Sequence, residues 1–233
     1  MRLTLIKFGG SIITNKKRYR AFNEKTTRRL IKELKPGIRY IIVHGAGSFG
    51  HILAEKWKKT RNESQKNFLL SRIHYDVRDL NLRVLKIFLE SNIPAVSVPP
   101  FAVVKNQDGA LQTVDISVFD NLLDAELTPI TYGDVVLDSV KKFSIASGDD
   151  LIYYLANYYH PEKVIFVSNV DGIYRNYPPA NGEKPIKIFT EDIYEEIKFS
   201  KVYTDVTGGL RRKIDIAITL QKTLKIPILL ING

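Results

Sequence analysis

Short apolar runs alternate along the chain with longer stretches in which apolar residues recur every three or four positions. The runs Leu3–Phe8, Tyr40–Val43, Ala95–Val98, Lys163–Val167 and Pro227–Ile231 predict strands. Lys66–Ser91 predicts a long helix, because Leu69, Ile73, Val77, Leu80, Val84 and Ile87 share one face. Asn23–Lys35 predicts another, with Asn23 as N-cap and Gly37 beyond its end. Leu151–Tyr159 is opened by Asp149 and Asp150, which suit a positive helix N-terminus, and is stopped by His160-Pro161. Leu210–Leu224 follows Gly208-Gly209, Asp108-Gly109 predicts a hairpin between Phe101–Val104 and Leu111–Val114, and Tyr177–Lys187 reads as an exposed loop. Strands apolar on both faces and separated by helices imply an α/β chain: an open αβα sandwich around a mostly parallel sheet.

Composition narrows the chemistry. The 233 residues include no cysteine, which removes disulfides, thiolate metal sites and a cysteine nucleophile and fits a cytoplasmic setting. The longest stretch without Asp, Glu, Lys or Arg, Tyr40–Ala54, is 15 residues with three glycines, so no membrane partner is expected. Leu3–Ile6 stops at Lys7, too early for a signal peptide. Lys+Arg exceed Asp+Glu by 35 to 25, a net +10 that favours anionic partners.

Three glycine-rich stretches then stand out. Gly9-Gly10-Ser11 follows the first strand, Gly45-Ala46-Gly47-Ser48-Phe49-Gly50-His51 follows the second, and Thr207-Gly208-Gly209 reads as a turn ahead of a helix. Glycine lets the backbone approach a phosphate, and helix N-termini offer unpaired N–H groups to it. The second stretch formally matches G-x-G-x-x-G, yet Glu55–Lys66 is charged and holds no strand ending in an acid, so a dinucleotide fingerprint is not supported. His51-Ile52 stands where a P-loop needs Lys-Ser/Thr. Positive charge is instead available from Lys7, Lys16 and Lys213. A single lysine in a chain of +10 is by default a solvated surface residue, but Lys7 lies inside an apolar strand, where a charge is costly without a partner. His51, at the end of the glycine stretch, is placed to bond an anion. His44 and His74 read as structural.

These residues resemble a known family. Lys7-Phe8-Gly9-Gly10-Ser11, Gly148-Asp149-Asp150, Ser168-Asn169-Val170-Asp171-Gly172-Ile173-Tyr174 and Asp205-Val206-Thr207-Gly208-Gly209 with Lys213 are similar to the amino acid kinase superfamily. Within it, Gly47-Ser48-Phe49-Gly50-His51 resembles the archaeal isopentenyl phosphate kinases. The resemblance implies a dimeric amino acid kinase fold over residues 1–233. An N-terminal lobe of about 1–145 would bind the phosphate acceptor and a C-terminal lobe of about 146–233 would bind ATP. It further implies that Lys7, Gly9, Gly10 and Ser11 hold ATP phosphates and that Lys16 stabilises the transition state. Gly45, Gly50, His51 and Gly148 would hold the acceptor phosphate, the glycines at 45 and 50 through backbone N–H groups, with Ala46 near the ATP side. Asp171 and Tyr174 would lie near the nucleotide, Gly209 and Lys213 near its phosphates. Asp149 or Asp150 would orient the lysines. Magnesium would be held mainly by ATP oxygens. Two departures are visible: Ala46 stands where the family often has glycine, and the chain stops at Ile231-Asn232-Gly233, where relatives usually continue.

The expected activity is therefore ATP-dependent phosphorylation of a small phosphate monoester, isopentenyl phosphate. A pocket for its tail is expected between the loop after His51 and Lys66–Ser91, with Phe68, Val77 and Leu80 as candidate walls. A phosphonate, amino acid or UMP acceptor is the nearest alternative. A nucleic-acid-binding module is the alternative of another class; the basic clusters Lys56–Arg61 and Arg211–Lys213 have no interleaved aromatics apart from Trp57, so no nucleic acid partner is expected.

Overall fold

A computed structural model describes residues 2–15, 17–177, 179–199 and 201–233. In chain order the elements are β1 (Leu3–Phe8), α1 (Gly10–Ile13), α2 (Glu24–Lys32), β2 (Arg39–His44), α3 (Gly47–Lys59), α4 (Glu63–Glu90), β3 (Ala95–Ser97), α5 (Pro100–Val103), β4 (Val104–Gln107), β5 (Ala110–Val114) and α6 (Ile116–Asp124). There follow β6 (Thr128–Tyr132), β7 (Asp134–Asp138), β8 (Lys142–Ala146), α7 (Gly148–Tyr159), β9 (Lys163–Ser168), β10 (Asn176–Tyr177), α8 (Glu191–Glu196), β11 (Lys198–Phe199), α9 (Lys201–Leu224) and β12 (Ile228–Asn232).

The central sheet runs β12-β9-β1-β2-β6-β3, and every pairing in it is parallel. Alternation along each strand divides the apolar side chains between two cores. Leu5, Ile41, Val43, Val164 and Phe166 face Phe119 and Leu123 of α6, Leu151 and Leu155 of α7 and Leu220 of α9. Ile6, Phe8, Ile42, Ile130 and Val167 face Ile12 of α1, Leu30 of α2 and Leu80, Val84 and Phe88 of α4. Because both faces are covered, the strands read as continuous apolar runs. β1 sits where the strand order turns back, with β2 on one side and β9 on the other, so the carboxyl ends of these strands border the crevice in which such sheets bind ligands. No helix among the described residues is long and apolar enough to cross a membrane.

The caps follow the sequence. Asn23 accepts from Thr26 N–H at 3.3 Å, and α2 ends at Lys32, three residues before the expected boundary. Asn62 caps α4, which starts at Glu63 rather than Lys66. His160 closes α7 in the left-handed region, φ 44°.

Several expectations need correction. The region 115–146 holds a helix and three strands that the sequence pattern did not reveal, and most of them build a second sheet, β5-β4-β7-β8. Phe101–Val103, expected as strand, is a short helix begun by Pro100. Thr207-Gly208-Gly209 is no turn, because its backbone lies within α9, which begins at Lys201. Glycine costs a helix interior about 1 kcal/mol and does not forbid it. Gly47–His51 likewise forms the first turn and a half of α3.

Candidate functional site

The site grows from the end of β1. Lys7 is 4% exposed, and its ammonium forms an ion pair with Asp149 at the N-terminus of α7. Burial pushes Lys7 down to about 8, against the attraction of Asp149, and the positive charge of Lys213 pushes it the same way. Asp149 is held below the usual carboxylate range by Lys7 and then Lys213, which together outweigh its own burial. The two neighbouring acids therefore differ in task. Asp149 faces Lys7, whereas Asp150 accepts from Ser147 Oγ at 2.6 Å within the α7 cap and pairs with Arg212.

Beyond Lys7 the chain turns at Gly9-Gly10. The Gly9 N–H donates to Val167 O at 2.9 Å and the Gly45 N–H to Phe8 O at 3.0 Å. Both amides are thus spent on the sheet, so Gly45 offers an anion close backbone approach rather than a hydrogen bond. A Cβ on Gly45 would lie 2.7 Å from Gly10 N, and one on Gly10 would lie 2.5 Å from Gly47 N. The first two glycine stretches therefore touch backbone to backbone, which no side chain would permit. The Thr14 hydroxyl ties them, donating to Gly10 O at 2.6 Å and accepting from Ser48 N–H at 2.9 Å. Gly148 closes the junction from α7, since a Cβ there would sit 3.1 Å from His44 O and 3.3 Å from Lys7 Cε. Gly50 has a packing reason of its own: its Cβ would come within 2.6 Å of the Ala46 methyl group, the very methyl that replaces the family's usual glycine.

The other expected residues fall around this junction. Ser11 Oγ donates to Asn169 Oδ1 at 3.1 Å, joining the first turn to the end of β9. Asp171 accepts from Asn232 Nδ2 at 2.6 Å. Tyr174 packs against the small cluster of Ile173, Leu210 and Ile214. Lys213 lies on α9, close enough to Lys7 and Asp149 to act on both. Gly209 belongs to the α9 backbone. His51 is exposed on α3, just past Gly50. Lys16 lies outside the described residues.

The remaining histidines are structural. His44 is fully buried; its Nδ1–H donates to Gly45 O at 3.2 Å, its Nε2 accepts from Asn81 Nδ2 at 3.1 Å, and its ring stacks on Tyr132. Burial lowers it to about 4, so it stays neutral. His74 meets Asp134, whose carboxyl burial pushes up, at 2.8 Å. Thr14 escaped the sequence reading, and Ser48 and Asn169 stood in the quoted motifs without a role of their own. Thr14 carries no charge and belongs to no spacing rule, so only the fold reveals it.

An apolar cluster lies between α3 and α4. Ile73, Val77, Tyr132 and Val135 are buried there, with Ala46, Leu53, Trp57 and Phe143 packed against them. Of the expected walls only Val77 belongs to it. Leu80 lies in the sheet core, and Phe68 is 71% exposed on the far face of α4. Cavities of about 530 and 780 Å³ open at the opposite end of the sheet, beside Leu3 and Tyr40, away from the glycine junction.

Comparison with known proteins places the chain in a family. Residues 2–232 match the amino acid kinase family. The chain belongs to that family. This member is 33% identical to the isopentenyl phosphate kinase of Thermoplasma acidophilum over 234 residues, spanning 99% of this chain and 92% of that one. It is 35% identical to the isopentenyl phosphate kinase of Methanothermobacter thermautotrophicus over 226 residues, spanning 91% and 84%. Among solved structures, one of an isopentenyl phosphate kinase superposes with a TM-score of 0.82 at 31% identity, covering 99% of this chain and 91% of the other. A product complex of the Thermoplasma acidophilum enzyme gives 0.80 at 28%, covering 99% and 91%. As an amino acid kinase the chain is a phosphotransferase.

Proposed function

We propose that the chain transfers the γ-phosphoryl group of ATP to isopentenyl phosphate, giving isopentenyl diphosphate and ADP. The observation that carries this is the junction itself: the buried Lys7–Asp149 pair lies beside Gly148 at the strand ends where the two glycine stretches touch, and α3, which carries exposed His51, also contributes to an apolar cluster. A phosphate acceptor is already ionised, so its oxygen attacks the γ-phosphorus without a general base while the bond to the bridging β,γ-oxygen breaks. What remains is alignment and neutralisation of charge on the equatorial oxygens. Lys7, Lys16 and Lys213 supply cations, with Asp149 orienting Lys7. Gly9, Gly10 and Ser11 face ATP phosphates; His51, Gly45 and Gly148 border the acceptor phosphate, and the cluster around Val77 shelters its tail. The lobe division near residue 145 assigns the acceptor to the first part of the chain and ATP to the second.

Magnesium would come with the nucleotide. Among the described residues no group of three or more His, Asp or Glu could hold a metal ion, so ATP oxygens would be its main ligands. The direct test is ADP release by the purified chain with Mg-ATP. Release that depends on isopentenyl phosphate supports the assignment; release indifferent to it contradicts it.

Lys7 gives this function a pH signature. The ammonium neutralises phosphate only when protonated, and burial lowers it to about 8. Activity is therefore full below that value and lost as pH rises through it. In kcat/KM for ATP, which reports the free enzyme, an alkaline limb near pH 8 is expected. In kcat the limb should lie higher, because bound phosphates favour the charged form. A kcat/KM profile with no alkaline loss would contradict the role of Lys7.

We also propose a homodimer. The outer face of α4 carries Phe68, Tyr75, Leu82 and Leu89, seven apart and each more than half exposed. A twofold axis at Arg78 and Asp79 would set Tyr75 against Leu82, Phe68 against Leu89 and Arg78 beside Asp79 across the axis, a self-complementary pattern. Leu82→Glu is expected to halve the mass seen by sedimentation, and an unchanged dimer mass would remove this interface.

A further inference from the structure

Residues 15 and 17–21 lie between the first glycine turn and α2. The base of this segment is closed by the Thr14–Phe22 bridge and by Asn15 N–H to Ala21 O at 2.8 Å. Its outer side reaches α4. The Tyr19 hydroxyl donates to Asp76, and the Arg20 fork spans two carboxylates, with Nη1 3.3 Å from Asp76 Oδ1 and Nη2 2.8 Å from Asp79 Oδ2. Arg72 approaches Asp76 at 3.2 Å and Arg83 approaches Asp79 at 3.0 Å, both from α4 itself. The inner side reaches α3, where Arg20 N–H donates to Ser48 O at 3.3 Å and Ala21 N–H to Ser48 Oγ at 3.2 Å. Ser48 and Thr14 carry the contact on to Gly10.

A continuous polar path thus runs from α4 to the backbones of both glycine stretches, and Arg20 is its hub. Two features set it apart from ordinary surface pairing. The Asp76 side chain is fully buried, and its Oδ1 has cations nearby but no well-formed hydrogen bond. Arg20 itself adopts φ 54°, a conformation that costs a non-glycine residue about 1 kcal/mol or more and must be held by its surroundings. Stability alone does not call for this arrangement, since well-packed apolar residues replace buried ion pairs at little or no cost. The helix is already anchored by Leu69, Ile73, Leu80, Val84 and Phe88.

We propose that Arg20 and Asp76 are positioning residues for phosphoryl transfer. Their bridge fixes residues 19–21 against α4 and so sets the approach of the two glycine stretches. The inference rests on the kinase reading above.

Arg20→Lys keeps the charge but cannot span both carboxylates. It is expected to lower kcat with isopentenyl phosphate about 10- to 100-fold, nearly as far as Arg20→Ala, because small misplacements are costly in transfer reactions. KM for ATP should stay within about twofold, as for an interaction needed only in the transition state. Asp76→Asn should give the same split from the other end of the bridge. In a Thr14→Val background, which cuts the path between Ser48 and Gly10, the Arg20→Lys loss should largely vanish, because residues acting as a unit are not additive. Wild-type kcat in Arg20→Lys, or a full loss that persists in the Thr14→Val background, would overturn the proposal. A wild-type chain inactive on isopentenyl phosphate would instead contradict the assigned reaction, so the two failures are distinguishable.

Discussion

Lys7→Met is expected to lower kcat about 1,000-fold, the scale seen when a preorganised group facing transition-state charge is removed. Methionine keeps the unbranched stem in the β1 slot and deletes only the ammonium. The loss should appear in kcat more than in KM for ATP, because charge on the transferring group develops in the transition state. The substitution also strands Asp149, buried beside the empty position. Breaking a buried pair on one side costs about 3–5 kcal/mol, so the single variant should melt earlier. The double variant Lys7→Met with Asp149→Asn separates these effects. It should recover most of the thermal stability and none of the activity. Recovery of turnover along with stability would assign Lys7 a structural task only.

His51→Ala is the second large effect. It should cost about 100-fold in kcat/KM for the acceptor, as one lost donor to a developing anion does, with little change in KM for ATP. The control is His74→Ala. His74 pairs with buried Asp134, so its removal should lower the melting temperature while the rate per folded enzyme holds. His51 is exposed on α3 and its removal should show the opposite pattern. Equal kinetic losses at the two positions would remove His51 from the acceptor site.

Much of this was legible in the chain, for identifiable reasons. β1 matched Leu3–Phe8 residue for residue, because a strand buried on both faces is a continuous apolar run and one lysine within it needs a partner. The family resemblance narrows the partner to two adjacent acids. Sequence could not separate them, because Asp149 and Asp150 differ only in which side of a helix N-terminus they face. The glycines at 10 and 45 were conspicuous, yet their reason, contact with one another, depends on the parallel pairing of β1 with β2. The doublet at 208–209 misled, since the same residue that permits a turn is also tolerated inside a long helix. The β4–β5 hairpin of the second sheet was expected around Asp108-Gly109, whereas β7 and β8 were missed because they are short and their polar positions, such as Asp134 and Ser144, are buried by tertiary contacts that interrupt any simple alternation. Arg20 and Asp76 meet across 56 positions, a pairing no local pattern announces.

The central claim is the identity of the acceptor. The measurement that bears on it most directly is kcat/KM for isopentenyl phosphate set beside UMP, acetylglutamate and aspartate, with Mg-ATP held saturating and product followed by phosphorus NMR. The paired α- and β-phosphorus signals of isopentenyl diphosphate, with a kcat/KM at least about 100-fold above the others, are the expected result, since a site built for a phosphate with an apolar tail rejects the carboxylate acceptors and the polar nucleoside of UMP. Equal turnover of all four, or preference for a carboxylate acceptor, would contradict it.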